Sequence, residues 1–321
     1  MLTLKDLQQN GWESGINQVV MADCLEAMKL IPDKSIDLIL TDPPYFEVKG
    51  AFDFIWDSFE DYLKFVEACA IEFKRILKDN GSLFWFGHSK KIAYAQIIFD
   101  RYFNLENNLV WKKEVLYGQT GSEQIRSFAP CTERILFYSN EQITNNGVTT
   151  FPCREYIRGE IIKAKGEIVF KDINNVLGTA DNGGGVASAT LSLAKAEPAM
   201  ITKEHYEKLR RWLGEGYLRR EYEDLRREYK NLGYSEVLEF SNEMSKGGVK
   251  RVGHETQKPQ SIINVLIETT TRGNALVLDP FMGSWTTARA CKDLGRNFIG
   301  FELEEDYCKV GEERLRQENL F

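Results

Sequence analysis

A chain of 321 residues with 43% apolar and 28% charged side chains can bury a sizeable core as one large or two modest domains. No apolar run reaches the roughly 20 residues of a membrane span and no signal-peptide pattern opens the chain, so no membrane is expected and a cytoplasmic location is. The six cysteines are scattered without C-x-x-C, the three histidines lie far apart, and a net charge of −7 gives no global pull toward nucleic acid; a zinc or other metal site is not expected, and a nucleic-acid partner would require a local basic face.

Residues 1–16 read as a polar lead-in. Val19-Val20-Met21 predicts a short strand ending at Asp23, followed by a helix from Leu25 to Leu30 that Pro32 stops. Ile36 to Leu40 is a nearly continuous apolar run, the mark of a strand buried on both faces of a parallel sheet. It ends in Asp42-Pro43-Pro44-Tyr45. Two successive prolines cannot donate ladder hydrogen bonds and hold the chain extended, so a rigid corner begins there. A carboxylate and an aromatic are thereby fixed at the carboxyl end of a strand, where open α/β sheets bind ligands.

This corner suits transfer to an exocyclic amine. Such a nitrogen is a poor nucleophile because its lone pair is delocalised into the ring. Two acceptors around its N–H groups, the Asp42 carboxylate and the Pro43 carbonyl, would draw it toward tetrahedral geometry. Tyr45 offers a face on which an extruded base can stack. The bland alternative is a strand-ending turn with a surface aromatic.

After an aromatic and acidic loop at 46–57, Ser58 caps a predicted helix to Lys78, with Tyr62, Phe65, Val66, Cys69, Phe73, Ile76 and Leu77 at helical spacing. Asp79-Asn80-Gly81 should turn into a strand at Ser82 to Phe86. A helix from Lys90 to Asp100 and strands at Leu105 to Trp111 and Arg134 to Tyr138 follow. The alternation predicts a doubly wound, Rossmann-like α/β sheet.

Between about 140 and 253 the alternation stops. An amphipathic helix carries Val169, Phe170, Ile173, Val176 and Leu177 and ends at Gly178; Asn182-Gly183-Gly184-Gly185 then breaks the chain. Two short helices about this turn could form a helix-turn-helix-like reader, although three consecutive glycines suit a flexible loop better. Thr202 caps a helix to Leu213. Leu-Arg-Arg-Glu-Tyr then occurs twice, and Leu218, Tyr222, Leu225, Tyr229 and Leu232 predict a helix with a narrow apolar seam. Its arginines 219, 220, 226 and 227 read as solvated, paired charges or as phosphate contacts. Lys246, Lys250, Arg251 and His254, with glycines between them, are the better candidates for a basic loop facing DNA.

The last segment returns to α/β. Lys258-Pro259 opens a helix to Thr271. A strand from Ala275 to Leu278 leads into Asp279-Pro280-Phe281-Met282-Gly283-Ser284-Trp285-Thr286-Thr287 and a helix to Leu294; a strand from Asn297 to Phe301 ends at Glu302, and a helix over 304–318 closes the chain. Strand, glycine-containing turn, helix, strand and acid, with Asp279 and Glu302 roughly 20 residues apart, form a nucleotide-site arrangement. G-x-G-x-x-G and the phosphate loop G-x-x-x-x-G-K-[ST] are absent, which argues against dinucleotides and ATP. An acid at the turn suits a cationic ligand end, such as the amino group of S-adenosylmethionine.

The ordered set Asp42-Pro43-Pro44-Tyr45, His254-Glu255-Thr256-Gln257-Lys258-Pro259, Asp279-Pro280-Phe281-Met282-Gly283-Ser284 and Phe298-Ile299-Gly300-Phe301-Glu302 resembles the amino-methylating DNA methyltransferases. The catalytic motif comes first and the cofactor motif last, as in their beta group, and the likeness spans 19–115 and 254–318. Asp rather than Ser before Pro-Pro-Tyr points to adenine N6. The resemblance implies S-adenosylmethionine as cofactor, with Asp23 at its adenine, Asp279 at its methionine end and Glu302 at its ribose. Asp42, Lys258, Phe281, Gly283, Ser284 and Thr286 would complete that pocket. It divides the chain into a catalytic half (1–115), a mainly helical target-recognition insert (116–253) and a cofactor-binding half (254–321), with the strand near 134–138 open to either of the first two. Double-stranded DNA is the implied partner; a homodimer and a restriction endonuclease on a separate chain stay open.

Two positions depart from the family pattern: Trp285, where a second glycine is usual, and Glu255 in place of proline. Trp285 could pack under the turn or narrow the cofactor pocket; packing is expected. A cytosine-N4 enzyme would use the same corner, and an inactive DNA-binding relative would have Trp285 filling the pocket. A protein-glutamine methyltransferase would carry asparagine first and its cofactor motif upstream, and neither feature is present.

Overall fold

The computed structural model describes residues 2–46, 55–113, 131–140, 142–143, 149–150, 152–180, 185–194, 201–225, 229–240 and 257–316. Lys246, Lys250, Arg251 and His254 lie outside the described residues, as do Arg226, Arg227 and three residues of the glycine break, 182–184. The chain divides into two compact units, one of residues 1–140 with 228–321 and one of residues 141–227.

In chain order the strands and helices are β1 (Leu2–Thr3), α1 (Leu4–Asn10), β2 (Gln18–Met21), α2 (Cys24–Met28), β3 (Ile36–Thr41), α3 (Phe59–Ile76), β4 (Leu77–Gly87), α4 (Ile92–Phe99), β5 (Asn104–Lys112) and β6 (Thr132–Ser139). The second unit holds β7 (Gln142–Ile143), β8 (Thr149–Thr150), α5 (Pro152–Lys165), α6 (Phe170–Leu177), α7 (Val186–Leu191), α8 (Lys203–Leu213) and α9 (Tyr222–Leu225). The chain then completes the first unit with β9 (Val237–Glu239), α10 (Gln260–Thr270), β10 (Leu276–Asp279), α11 (Thr286–Leu294), β11 (Asn297–Glu302) and α12 (Glu305–Arg316).

The first unit is built on a nine-stranded sheet in the order β1-β2-β11-β10-β3-β4-β6-β5-β9. Only β6 runs against its neighbours, pairing antiparallel with β4 and β5. Side chains alternate across the sheet, as the pleat requires. Leu83 and Trp85 of β4 join Phe73 and Phe99 on one side; Phe84 and Phe86 join Ile263 and Leu266 on the other. Burying one such side chain stabilises by about 1.5–3 kcal/mol. Helix α3 earns its place on the sheet through a stripe of Tyr62, Val66, Cys69, Ala70, Phe73 and Ile76, and Ser58 caps it by accepting from the Asp61 amide at 3.1 Å.

From β3 the winding runs through α3 to β4; from β10 it runs through α11 to β11, on the opposite side. The β3–β10 boundary is therefore the point where the winding reverses, and ligands bind outside the carboxyl ends of the strands at such a point.

Three local expectations need correction. The lead-in is an ordered strand and helix; its one fully buried helical side chain, Leu7, leaves too little periodicity to read. Asp79-Asn80-Gly81 lies inside β4 instead of before it. Pairing jumps from Ile36 with Leu77 to Leu38 with Ser82, so the turn residues bulge out, and Asn140 holds the bulge by donating to Leu77 O at 2.7 Å and Lys78 O at 3.0 Å.

The third correction concerns the repeat. Leu218, Tyr222 and Leu225 are buried in the second unit's core with Ile157, Ile161, Ile173, Leu177 and Leu209, but they are not on one helix. Leu218 has φ +46°, in the left-handed region. Side chains take its backbone groups: Tyr206 and Arg210 donate to Leu218 O at 3.2 and 2.8 Å, and Leu218 N donates to Glu160 at 3.1 Å. Tertiary hydrogen bonds override the periodicity, and Tyr229 is exposed.

Candidate active site

At the carboxyl edge of β2, β3, β10 and β11 opens a cavity of about 950 Å³. Asp23, Asp42, Pro43, Pro44, Tyr45, Lys258, Asp279, Phe281, Gly283, Ser284, Thr286 and Glu302 all line it. Residues from both ends of the sequence meet there because β10 inserts between β11 and β3.

The corner after β3 is closed on itself. Tyr45 donates its hydroxyl to Asp42 Oδ1 at 2.5 Å, and Lys258 donates its ammonium to Asp42 Oδ2 at 2.5 Å. Burial, with the Asp42 charge added to it, pushes the Tyr45 phenol well above its ordinary range, so it stays a donor. Lys258 also lies 3.3 Å from Glu133 Oε2 and over the rings of Tyr45 and Phe86. Burial disfavours its charge, but the Asp42 and Glu133 carboxylates outweigh burial and hold its pKa above that of ordinary lysine.

Asp279 sits deeper. Thr41 and Thr287 donate hydroxyls to it at 2.9 and 2.6 Å, and the Phe281 amide donates at 3.1 Å. Among the described residues no cation pairs with it. Burial raises its pKa to about 7 despite the three hydrogen bonds, and Asp42 pushes the same way.

Glu302 at the end of β11 accepts from the amides of Gly283 at 2.7 Å, Leu303 at 2.9 Å and Glu304 at 3.0 Å, which fixes its carboxylate against the turn. Burial raises its pKa as well, opposed by those amides. Asp23 caps α2 by accepting from the Glu26 amide at 3.0 Å. Gly283 has φ +49°, which a glycine adopts without penalty and which carries the chain round between Glu302 and α11.

Trp285 is buried, 3% exposed, and is not among the cavity-lining residues. Its indole lies against α12, where a Cβ on Gly311 would come within 2.0 Å of the ring. The side chain turns into the core between the sheet and the helices, away from the pocket.

A family model described as DNA methylase matches residues 36–313. The chain belongs to this DNA methylase family. The type II methyltransferase M.HinfI of Haemophilus influenzae is 27% identical over 319 residues, covering 94% of this chain and 69% of that protein. The DNA adenine methyltransferase YhdJ of Escherichia coli strain K12 is 24% identical over 307 residues, covering 92% and 82%. Among solved structures, the M1.HpyAVI–SAM complex matches with a TM-score of 0.54 at 20% identity, over 94% of this chain and 99% of that one. The PvuII DNA methyltransferase, titled cytosine-N4-specific, matches with a TM-score of 0.54 at 15% identity, over 95% and 88%. These structural likenesses establish a shared fold.

Sequence reasoning about this methylase missed Glu133, Lys113, Thr41 and Thr287. Glu133 opens β6 and pairs with Lys113, just past β5, so both reach the cavity from the far side of the sheet. Burial would raise the Glu133 pKa, but Lys258 and Lys113 together bring it below the usual carboxylate range. No local pattern marks either residue; only the antiparallel insertion of β6 between β4 and β5 brings them to the site. Thr41 and Thr287, by contrast, were visible one residue before Asp42 and just after Trp285. A strand-ending threonine facing an acid on the next strand was the signal available. Among the described residues, no cluster of His, Cys, Asp and Glu could hold a metal. No described helix is long and apolar enough to cross a membrane.

Proposed function

We propose that this methylase transfers a methyl group from S-adenosylmethionine to N6 of an adenine extruded from double-stranded DNA. The observation that carries the reading is the juxtaposition across β3 and β10. Thr41 donates to the cation-free Asp279, while the next residue, Asp42, faces Tyr45 and Lys258. One acid is suited to a cationic ligand and its neighbour to an amine.

The residues fit the cofactor. Asp279 is a buried carboxylate with no cation beside it among the described residues, and burial raises its pKa to about 7; an α-ammonium bound there would meet its charge. Glu302 accepts three amides, leaving one of its roughly four acceptor positions for a ribose hydroxyl. Asp23, Lys258, Phe281, Gly283, Ser284 and Thr286 complete the wall. Bound there, S-adenosylmethionine supplies an electrophilic methyl carbon. Asp42 and the Pro43 carbonyl accept hydrogen bonds from the target amine and pull its lone pair out of the ring; the Asp42 carboxylate takes up the proton it sheds. Tyr45 stacks the extruded base.

Asp before Pro-Pro-Tyr and the adenine-specific name of one relative favour adenine. The second unit, 141–227, is assigned to target recognition, with Lys246, Lys250, Arg251 and His254 toward the DNA backbone; β6 and β9, which fall inside the expected 116–253 insert, are strands of the main sheet. The burial of Trp285 speaks against an inactive binder. The test is to expose unmethylated genomic DNA to the protein with labelled S-adenosylmethionine, then identify the modified base and its flanking sequence. N6-methyladenine in one sequence context is expected. N4-methylcytosine would overturn the choice of base, and no transfer would overturn the enzyme reading.

A further inference from the structure

Both oxygens of Asp42 are already occupied, Oδ1 by the Tyr45 hydroxyl and Oδ2 by the Lys258 ammonium. Roughly two of its four acceptor positions remain, but an amine accepted at Oδ2 must share that oxygen with the ammonium, and its hydrogen bond strengthens if the ammonium withdraws. The ammonium would have to leave a 2.5 Å contact in a site where its side chain is 8% exposed, so it needs a second place to go. One exists. Glu133 Oε2 is fully shielded from solvent and makes no well-aligned hydrogen bond among the described residues, yet it lies 3.3 Å from the same Nζ. The other oxygen, Oε1, is held by Lys113. Oε2 is ion-paired with Lys258 but short of a well-aligned hydrogen bond, a costly state for a buried carboxylate oxygen, and its company here is a lysine with an alternative partner.

We propose that Glu133 is a positioning residue that draws Lys258 off Asp42 as the target amine arrives, freeing Asp42 Oδ2 to accept the N–H. The inference rests on the methyl-transfer reading above. The row Asp42, Lys258, Glu133, Lys113 alternates in sign, so shifting the ammonium from one carboxylate to the other moves no net charge into the site. Lysine suits the part, being a compact charge on a flexible stem with three donors, whereas a planar guanidinium would lock onto one carboxylate. Lys258 stays charged throughout because it is never without a carboxylate partner. Glu133 stays ionised through the two lysines that flank it.

The measurement is steady-state methyl transfer with labelled S-adenosylmethionine at saturating DNA. Calorimetric cofactor titration and a thermal melt accompany each variant. In Glu133→Gln the acceptor charge is gone, so Lys258 stays on Asp42; kcat should fall about 30-fold while cofactor KM and Kd stay within threefold. Glu133→Asp retracts the carboxylate by one methylene and should lose severalfold in kcat, again without a change in cofactor KM. It keeps the test standing if the Gln variant fails to fold. Adding Lys258→Met to Glu133→Gln should recover activity relative to Glu133→Gln alone, because nothing then covers Asp42 Oδ2. A purely structural bracket makes the opposite forecast, with the double variant slower than either single one.

Native kcat in both Glu133 variants, a loss appearing in cofactor KM instead of kcat, or a double variant slower than Glu133→Gln would overturn the inference while the methyl-transfer reading stands. Failure of the native protein to methylate DNA would instead remove the reading on which it rests.

Discussion

Each of two neighbouring parallel strands, β3 and β10, delivers an Asp-Pro step to the same edge of the sheet, and the two aspartates meet different company. Asp42 receives a lysine and a phenol; Asp279 receives two hydroxyls and an amide. Position in the sheet accounts for the difference. Beyond β3 stand β4, β6 and β5, which bring Glu133, itself paired with Lys113, to Lys258, whereas β10 lies between β3 and β11 and is walled by Thr41 and Thr287. The same dipeptide thus becomes an acid whose charge is met from within the chain and an acid whose charge awaits a ligand. Of the aromatics that follow, Tyr45 and Phe281 line the cavity, whereas Trp285, the second one after Asp279, turns into the core.

The largest effect is expected at the internally paired acid. Asp42→Ala should abolish turnover while DNA affinity stays within a few fold, because phosphate contacts dominate that affinity and lie elsewhere. Turnover by labelled-methyl transfer and binding by fluorescence anisotropy separate the two. An Asp42→Ala protein methylating at the native rate would leave the comparison without its catalytic half.

Asp279→Asn sharpens the other half. Removing one partner of a buried charge pair costs about 2–5 kcal/mol, so cofactor affinity should fall by 30-fold or more. Ligand-free stability should move the other way. An unfolded aspartate titrates near 4 and the folded Asp279 near 7, so over that interval the native state holds a proton that the unfolded state has lost. The group's stabilisation is complete below the unfolded pKa and is lost as pH rises through about 7. Thermal melts of the ligand-free native protein should decline across that window relative to the Asn variant. A bound cation requires the ionised form, so calorimetry a unit below the folded pKa should show about one proton released per cofactor, a release absent from the variant. Equal pH dependence in the two proteins would mean that Asp279 is not the acid awaiting a cation.

Trp285 tests whether the second aromatic is architectural. Trp285→Ala should destabilise by about 3–5 kcal/mol, as for other buried aromatic truncations. Because Trp285 stands at φ +60°, Trp285→Gly should be the less harmful variant by about 1 kcal/mol. Gly311→Ala should be poorly tolerated in the native protein, where its Cβ would come within 2.0 Å of the indole, and well tolerated in the Trp285→Gly background. Denaturant melts of the four proteins give the coupling; strict additivity would mean that the ring does not rest on α12.

These contrasts also mark what could be read before the structure. Apolar runs ending in Asp-Pro, a glycine turn and a second acid are local features, and strand–helix alternation places them at one edge of a doubly wound sheet. Asp42, Asp279 and Glu302 were therefore legible. Glu133 and Lys113 were not, because what makes them part of the site is β6 running backward beside β4. The 218–232 repeat misled for the converse reason. Its period of three and four is real, and Leu218, Tyr222 and Leu225 are buried, but Gly214 and Gly216 precede a left-handed Leu218 whose backbone is claimed by Glu160, Tyr206 and Arg210. Periodicity reports which residues seek the core; it does not report which groups will compete for their backbone.

The smallest effects are expected at Tyr45, where ring and hydroxyl can be separated. Tyr45→Ala removes the face on which the extruded base stacks and should cost on the order of 1–3 kcal/mol in DNA binding. Tyr45→Phe keeps the face and removes the donor to Asp42 Oδ1. Its DNA affinity should match that of the native protein, and kcat should fall by less than tenfold, because only one hydrogen bond, to Oδ1, is lost and Oδ2 is left to accept the amine. The order Ala below Phe below native, with only Ala weakened in binding, is what a stacking platform with an ancillary hydroxyl predicts. If Phe and Ala instead fall together in kcat and neither changes DNA affinity, Tyr45 acts only through its hydroxyl on Asp42. The base then rests on something else, and the aromatic after the first corner is a packing residue, as Trp285 is after the second.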